Sequence, residues 1–301
     1  MLKFKNCLLV VLAGMLSIPA WSQLSDVEQY NPNSIDPIAR YEHLFKRRVW
    51  RNIDLKEKQN KGFFARGGEI TLFLLNAVRS GELSEIYVND SLKTPMSKDE
   101  FLNSLVYQEG ESFPAYESGA EYYSGDRVSY QGKVYGAIFD TYEPPSNLDD
   151  WEEIPGAGKA IYFLPRQISK MRIMEDVIFD KRRSRLYHQI QSIQLFIPAS
   201  ETLDGVEKPL GVFKYKQLYT LFKDHPESAI WINRYNSAEN KNFADAFTLR
   251  LFRASLFKFE NPDDDPIVDM YKNRKEAVMA SEWWEMQLME KEPNLWEYSD
   301  L

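Results

Sequence analysis

The residues of this chain that could do chemistry are three histidines, an acidic triplet, a glycine-lysine turn and two clusters of arginine and lysine. His43, His188 and His225 stand far apart, and none forms a His-x-x-x-His pair. A metal site built on any of them would need partners such as cysteine, and the single cysteine, Cys7, lies in an N-terminal leader. Each histidine therefore reads as a surface or helix-end residue. The run PGAGKA at 155–160 echoes a phosphate-binding loop, but Glu153 stands where the first glycine belongs. Ala160 also replaces the hydroxyl residue that would hold magnesium, so the run reads as a flexible hinge. Asp263, Asp264 and Asp265 lack the glycine and distal glutamate of a calcium loop and read as a solvated turn. There is no Gly-x-Ser-x-Gly elbow, and no spacing places two carboxylates at a working separation. No catalytic residue, metal or cofactor is expected, and the chain does not read as an enzyme.

The basic clusters are Lys46-Arg47-Arg48 with Arg51, and Lys181-Arg182-Arg183 with Arg185. One reading is a solvated helix face. The other is a docking surface for an acidic partner, since arginine binds carboxylates in bidentate fashion. On that second reading the partner-binding candidates are Arg47, Arg48, Trp50, Arg51, Arg182 and Arg183.

The chain that must position these groups has 301 residues, enough for a well-buried core. Its formal charge of −8 argues against general nucleic-acid binding, which depends on neutralising phosphates. Lys3 and Lys5 precede an apolar run over 8–18, and Ala20-Trp21-Ser22 supplies a small-residue cleavage site. Residues 1–22 are thus expected to be a secretory signal peptide, with the mature chain starting at Gln23. Cys7 precedes the apolar run, whereas a lipoprotein cysteine would follow it. Without Lys3 and Lys5 the formal charge becomes −8 − 2 = −10.

Spacing then predicts the elements. Tyr41, Leu44, Phe45, Val49 and Ile53 recur at three and four, which predicts a helix with a basic outer face. A second helix is expected over 69–80 with Gly81 as its stop, and a third over 98–105 capped by Ser97. Ile168, Met171, Met174 and Ile178 predict a helix over 167–183. Strands are expected over 189–197, 211–218 and 228–235, an aromatic-rich helix over 244–259, and a last long helix over 267–291. Helices and strands are segregated, which predicts an α+β fold with helices packed on a small antiparallel sheet. Residues 125–151 differ from their flanks, being short alternating runs, glycine turns and aromatics, and predict a small all-β insertion.

The blocks RRVWRNIDLKEKQNKGF (47–63), ISKMRIMEDVIFDKRRSRL (168–186) with IQLFIP, DAFTLRLFRASLFK (245–258) and LWEY (295–298) resemble the GldN/PorN family of the type IX secretion and gliding-motility apparatus. The resemblance implies a periplasmic structural subunit. It implies a homo-oligomeric ring formed with a GldK/PorK-like lipoprotein under the outer membrane, in contact with a GldM/PorM-like shaft protein. It divides the mature chain into family segments at 23–118 and 157–301 around an insertion at 119–156.

The insertion resembles chitin-binding modules of carbohydrate-binding families five and twelve at Tyr122, Gly125, Asp126, Val128, Tyr130, Gly132, Tyr135, Ala137 and Trp151. Val128 and Tyr130 alternate on one strand, Gln131-Gly132 makes a turn, and Trp151 is expected to fold back as the core. In that family two adjacent aromatics after the alanine stack on sugar; here they are Phe139 and Asp140, so half the platform is a carboxylate. Tyr130, Phe139 and Tyr142 are the glycan-binding candidates. The leading expectation is therefore an assembly subunit. The alternative is a periplasmic protein that contacts peptidoglycan or chitin through the insertion.

Overall fold

The computed structural model describes residues 30–108, 113–147, 149–154 and 161–297. The expected leader at 1–22 and hinge at 155–160 lie outside the described residues, as does Tyr298. In chain order the elements are β1 (His43–Asp54), β2 (Phe64–Ala65), β3 (Gly68–Glu69), α1 (Ile70–Ser80), β4 (Ile86–Tyr87), β5 (Pro95–Met96) and α2 (Lys98–Ser104). The middle of the chain holds β6 (Val106–Gln108), β7 (Arg127–Tyr130), β8 (Lys133–Ala137), β9 (Trp151–Glu153) and β10 (Ile161–Tyr162). The long strands β11 (Lys170–Asp180) and β12 (Arg185–Ile197) follow, then β13 (Lys208–Lys214) and α3 (Tyr215–Asp224). The chain continues through β14 (Ile230–Trp231), β15 (Lys241–Asn242), α4 (Phe243–Thr248), β16 (Ser255–Phe259), α5 (Ile267–Met270) and α6 (Arg274–Glu297).

The fold is α+β. Its frame is a seven-stranded antiparallel sheet in the order β16-β1-β11-β12-β13-β4-β5. One face carries Ile53, Met171, Ile173, Ile193 and Leu195, which pack with α1, α3 and α4 into the main hydrophobic cluster. A second cluster, with Val49, Val177, Leu256 and Phe259, lies under α6 through Ala277, Ala280 and Leu288.

Two expected helices are strands. Residues 43–54 form β1 and residues 170–180 form β11, paired along their length from His43↔Asp180 to Asp54↔Lys170. In β1 the apolar positions 45, 49 and 53 are four apart, a spacing that suits a helix face and one face of a strand equally well. The residues between them on that face are Arg47 and Arg51, which hid the period of two. Tyr41 and Leu44, assigned to the helix stripe, are 62% and 53% exposed. In β11 every residue from Ile173 to Asp180 is buried, so both faces of the strand are covered and no alternation appears.

Four other expectations hold only in part. The strand expected over 211–218 is β13 followed by α3, the helix over 244–259 is α4 followed by β16, and only Ile230–Trp231 of 228–235 is strand. The last helix is split into α5 and α6. The remaining expected elements match. Gly81 ends α1 at φ 88°, a left-handed position that favours glycine. Ser97 and Glu100 form a reciprocal capping box on α2.

The segment expected to be an insertion stands on a two-stranded ribbon, since β6 pairs with β10 and brings Gln108 opposite Ile161. Beyond the ribbon, β7, β8 and β9 form their own antiparallel sheet. Gln131 and Gly132, at φ 50° and 77°, make the tight hairpin turn. Trp151 is buried against Val128 and Ala137, with Tyr116, Tyr122 and Tyr135 around it. Its indole N–H donates to the Glu143 carbonyl at 2.9 Å. Ala115 also bridges to Ser129, so this small sheet recruits residues ahead of Gly119.

Candidate functional site

Because β1 is a strand, its basic residues divide between two faces of the sheet, and each one meets a partner inside the protein. On the outer face Arg48 binds Asp176 through two nitrogens at 2.7 and 3.1 Å, and Lys46 joins the same carboxylate at 3.0 Å. Trp50 is 8% exposed. Its indole N–H donates to Asp90 at 2.6 Å, and Lys258 Nζ sits 4.2 Å from its ring centre. On the inner face Arg47 lies over the rings of Phe259 and Trp284, at 4.6 and 4.8 Å. Arg51 is buried and bonds to both Glu175 and Glu285. In the turn after β11, Arg183 pairs with Asp180 at 2.7 Å and Arg182 with Glu42 at 3.2 Å. No continuous basic helix face exists at β1 to meet a partner. The cluster ties the sheet to itself and to α6.

The centre of that tie is Glu175, fully buried on β11. It accepts from Arg51, from Arg250 at 2.7 Å, and meets His188 Nδ1 at 3.3 Å. Burial opposes its charge, but the His188 hydrogen bond and the charges of Arg250 and Arg51 outweigh that penalty and hold the carboxyl well below the usual range. Arg250 reaches it from a left-handed backbone position at φ 53° just past α4, where glycine is the usual occupant. Arg51 extends the network to Glu285, so a polar clamp seats α6 on the sheet edge.

Seated this way, α6 is apolar on both sides. Ala277, Ala280 and Leu288 are buried below it, and Trp284 packs at 4.4 Å on Phe259. Its exposed surface carries Met279, Trp283 and Met286 away from the sheet, and Val278 and Met289 on a flank beside Phe257, each 51% to 61% exposed. Apolar patches of this kind mark interaction surfaces, and Trp and Met are favoured there, as an anchor and an adaptable contact respectively.

In the insertion, Phe139 and Tyr142 are 62% and 61% exposed. Asp140 beside Phe139 accepts the Ser124 N–H at 2.9 Å, which fixes a carboxylate next to the exposed ring. Tyr130 is half-buried between Tyr116 and Tyr135 in edge-to-face contacts.

Among the described residues, no group of three or more His, Cys, Asp and Glu side chains is placed to hold a metal. His43 bonds to the Ile38 carbonyl and His225 to the Leu221 carbonyl at the end of α3. No helix of the described residues is long and apolar enough to cross a membrane.

The sequence matches the family of gliding motility associated protein GldN over residues 38–297. The chain belongs to the GldN family. The match spans the sheet, the insertion and α6 together. No curated protein matches the chain. Membership makes this GldN chain a component of the gliding-motility and type IX secretion machinery, a structural family rather than one of known enzymes.

For this GldN chain, sequence spacing found the long C-terminal helix but missed its outer face. Met279, Trp283 and Met286 follow helical spacing, as Ala280, Trp284 and Leu288 do on the other side. Two apolar stripes on one surface helix were a signal available in the sequence, because an isolated amphipathic helix needs only one.

Proposed function

We propose that this GldN-family protein is a periplasmic assembly subunit. It forms a ring with a GldK/PorK-like lipoprotein beneath the outer membrane and passes contacts to a GldM/PorM-like shaft protein. The observation that carries this reading is the outer face of α6, an apolar stripe on a helix clamped to the sheet by the Arg51–Glu285 pair. A surface held so rigidly loses little entropy on docking, which favours a standing structural contact.

The test is a Met279→Glu, Trp283→Glu, Met286→Glu variant, co-expressed with the lipoprotein partner and purified from envelopes. These side chains point away from the core, so the thermal transition of the isolated chain should be unchanged. A central tryptophan anchor contributes roughly 2 kcal/mol or more, so co-assembly should weaken by at least about thirtyfold. Wild-type yields of complex from the triple variant would remove α6 from the interface and with it the support for this reading.

A further inference from the structure

A second surface, remote in sequence from α6, has a different chemistry. The loop after β1, the turn at Leu164–Gln167 and the loop after β14 enclose a groove of about 1250 Å³. Six cations line it: Lys56, Lys58, Lys61, Arg66, Arg166 and Arg234. Its one lining carboxylate, Glu201, is already matched by Lys56 at 2.9 Å and by Gln167 at 3.3 Å. Arg166 leans on Glu69 at 3.3 Å. The side chains of Lys58, Lys61, Arg66 and Arg234 have no ion pair or hydrogen bond among the described residues. Four unmatched cations around one concavity are out of character for a chain of net charge −8, and like charges held close are mutually repulsive. An anionic occupant of the groove would find these charges unpaired.

The floor of the groove is apolar and shaped by one glycine. Gly62 lies under the Trp231 indole, where an added Cβ would come within 2.3 Å of Nε1. The buried ring of Phe64 continues this floor, with the Arg166 guanidinium 5.7 Å from its centre. At the rim, Leu164 is 65% and Tyr235 88% exposed. The volume exceeds the roughly 300–1,000 Å³ of small-molecule sites. The concave shape does not fit a flat bilayer surface. Alternating cations and rings suit carboxylates and apolar side chains carried on one extended backbone.

We propose that this groove is the docking site for an acidic, aromatic-bearing peptide segment of a partner protein. The acidic partner that the arginines of β1 suggested in the sequence is met here instead, by cations that have no internal duty. The proposal does not depend on the ring reading, because binding is measured on the isolated chain and none of its residues lies on α6.

The test is fluorescence anisotropy of the purified full chain with a labelled oligopeptide of alternating glutamate and tyrosine. The same peptide with glutamine for glutamate, and vesicles of phosphatidylglycerol, serve as the other arms. Saturable binding of the acidic peptide is expected. It should weaken as salt rises from about 0.1 M to 1 M, where the screening length falls from roughly 10 Å to 3 Å. The glutamine peptide should bind at least about tenfold more weakly, as should the acidic peptide to a Lys58→Glu, Arg66→Glu, Arg234→Glu variant. Tyr235→Ala should cost several-fold without changing the salt dependence, and it decides the matter should the charge-reversed variant fail to fold. Equal binding of both peptides, unchanged binding by the charge-reversed variant, or no binding at all would overturn the proposal. So would vesicle binding that needs the three cations when the peptide does not bind, since the occupant would then be a lipid surface.

Discussion

Glu175→Gln removes the charge at the centre of the sheet and leaves its shape almost unchanged, so the cost reports electrostatics rather than packing. The carboxylate is fully buried and receives Arg51, Arg250 and His188. After the change Arg51, whose side chain is 3% exposed, keeps only Glu285 as a charged partner, and the new amide has one acceptor oxygen for the donors that two had served while its N–H₂ faces guanidinium groups. Breaking one partner of a buried pair costs about 3–5 kcal/mol; the isosteric change leaves no cavity, which places the expected cost near 3 kcal/mol. For a domain of about 200 residues each kcal/mol shifts Tm by roughly 2–4 °C, so circular dichroism should show a fall of about 6–12 °C. The sign with pH follows from the depressed native pKa of Glu175. Its contribution is complete above the unfolded carboxyl value of about 4.3. It is lost as pH falls from there through the native value, so the gap between wild type and variant should narrow only in acid. Arg51→Met in the Glu175→Gln background should cost less than the two changes added, because both remove one network. A Tm shift below about 2 °C, or strict additivity, would show that Glu175 does not hold the sheet and α6 together.

Two predictions concern the insertion. Trp151→Ala should cost about 3–5 kcal/mol, more than a core of Val128, Ala137 and a few tyrosines can sustain. Limited proteolysis should then cut within 113–154 while the main thermal transition survives, and collapse of the whole protein would show that the insertion belongs to the main core. Retention on chitin or peptidoglycan should be weak, since the residue beside the exposed Phe139 is a carboxylate, which cannot stack on a sugar, and Tyr130 is half-buried against Tyr116. Strong retention abolished by Phe139→Ala would bring glycan binding to the front.

How far the fold was legible depended on how local its causes are. The capping box of Ser97 and Glu100 and the left-handed Gly81 act within a few residues, and both elements stand where spacing placed them. The Gln131-Gly132 turn and the return of Trp151 were legible for the same reason, since the small sheet closes within its own stretch. The two central strands were not. In β1 a four-residue spacing satisfied both periods, and the residues that would have separated them are arginines buried or covered only because distant partners receive them. Those partners are distant in sequence: Glu175 is 124 residues from Arg51, and Arg47 is covered by Phe259 and Trp284. The α+β class survived these errors because segregation of the elements, rather than each assignment, carried it.

The sequence by itself determined which segments cap, turn and stop, that a compact all-β unit lies in the middle of the chain, and which family its blocks belong to. Only the tertiary structure decided which charges are free. Among the arginines around Trp50, prominent in sequence, Arg48 and Arg51 are paired with buried carboxylates on β11, and Arg47 lies over the rings of Phe259 and Trp284. Lys58, Arg66 and Arg234, scattered and unremarked in sequence, are gathered into one groove by loops from different parts of the chain. Charge clustering along a chain measures proximity in one dimension, whereas a cation's availability depends on which carboxylates the fold brings within about 4 Å of it.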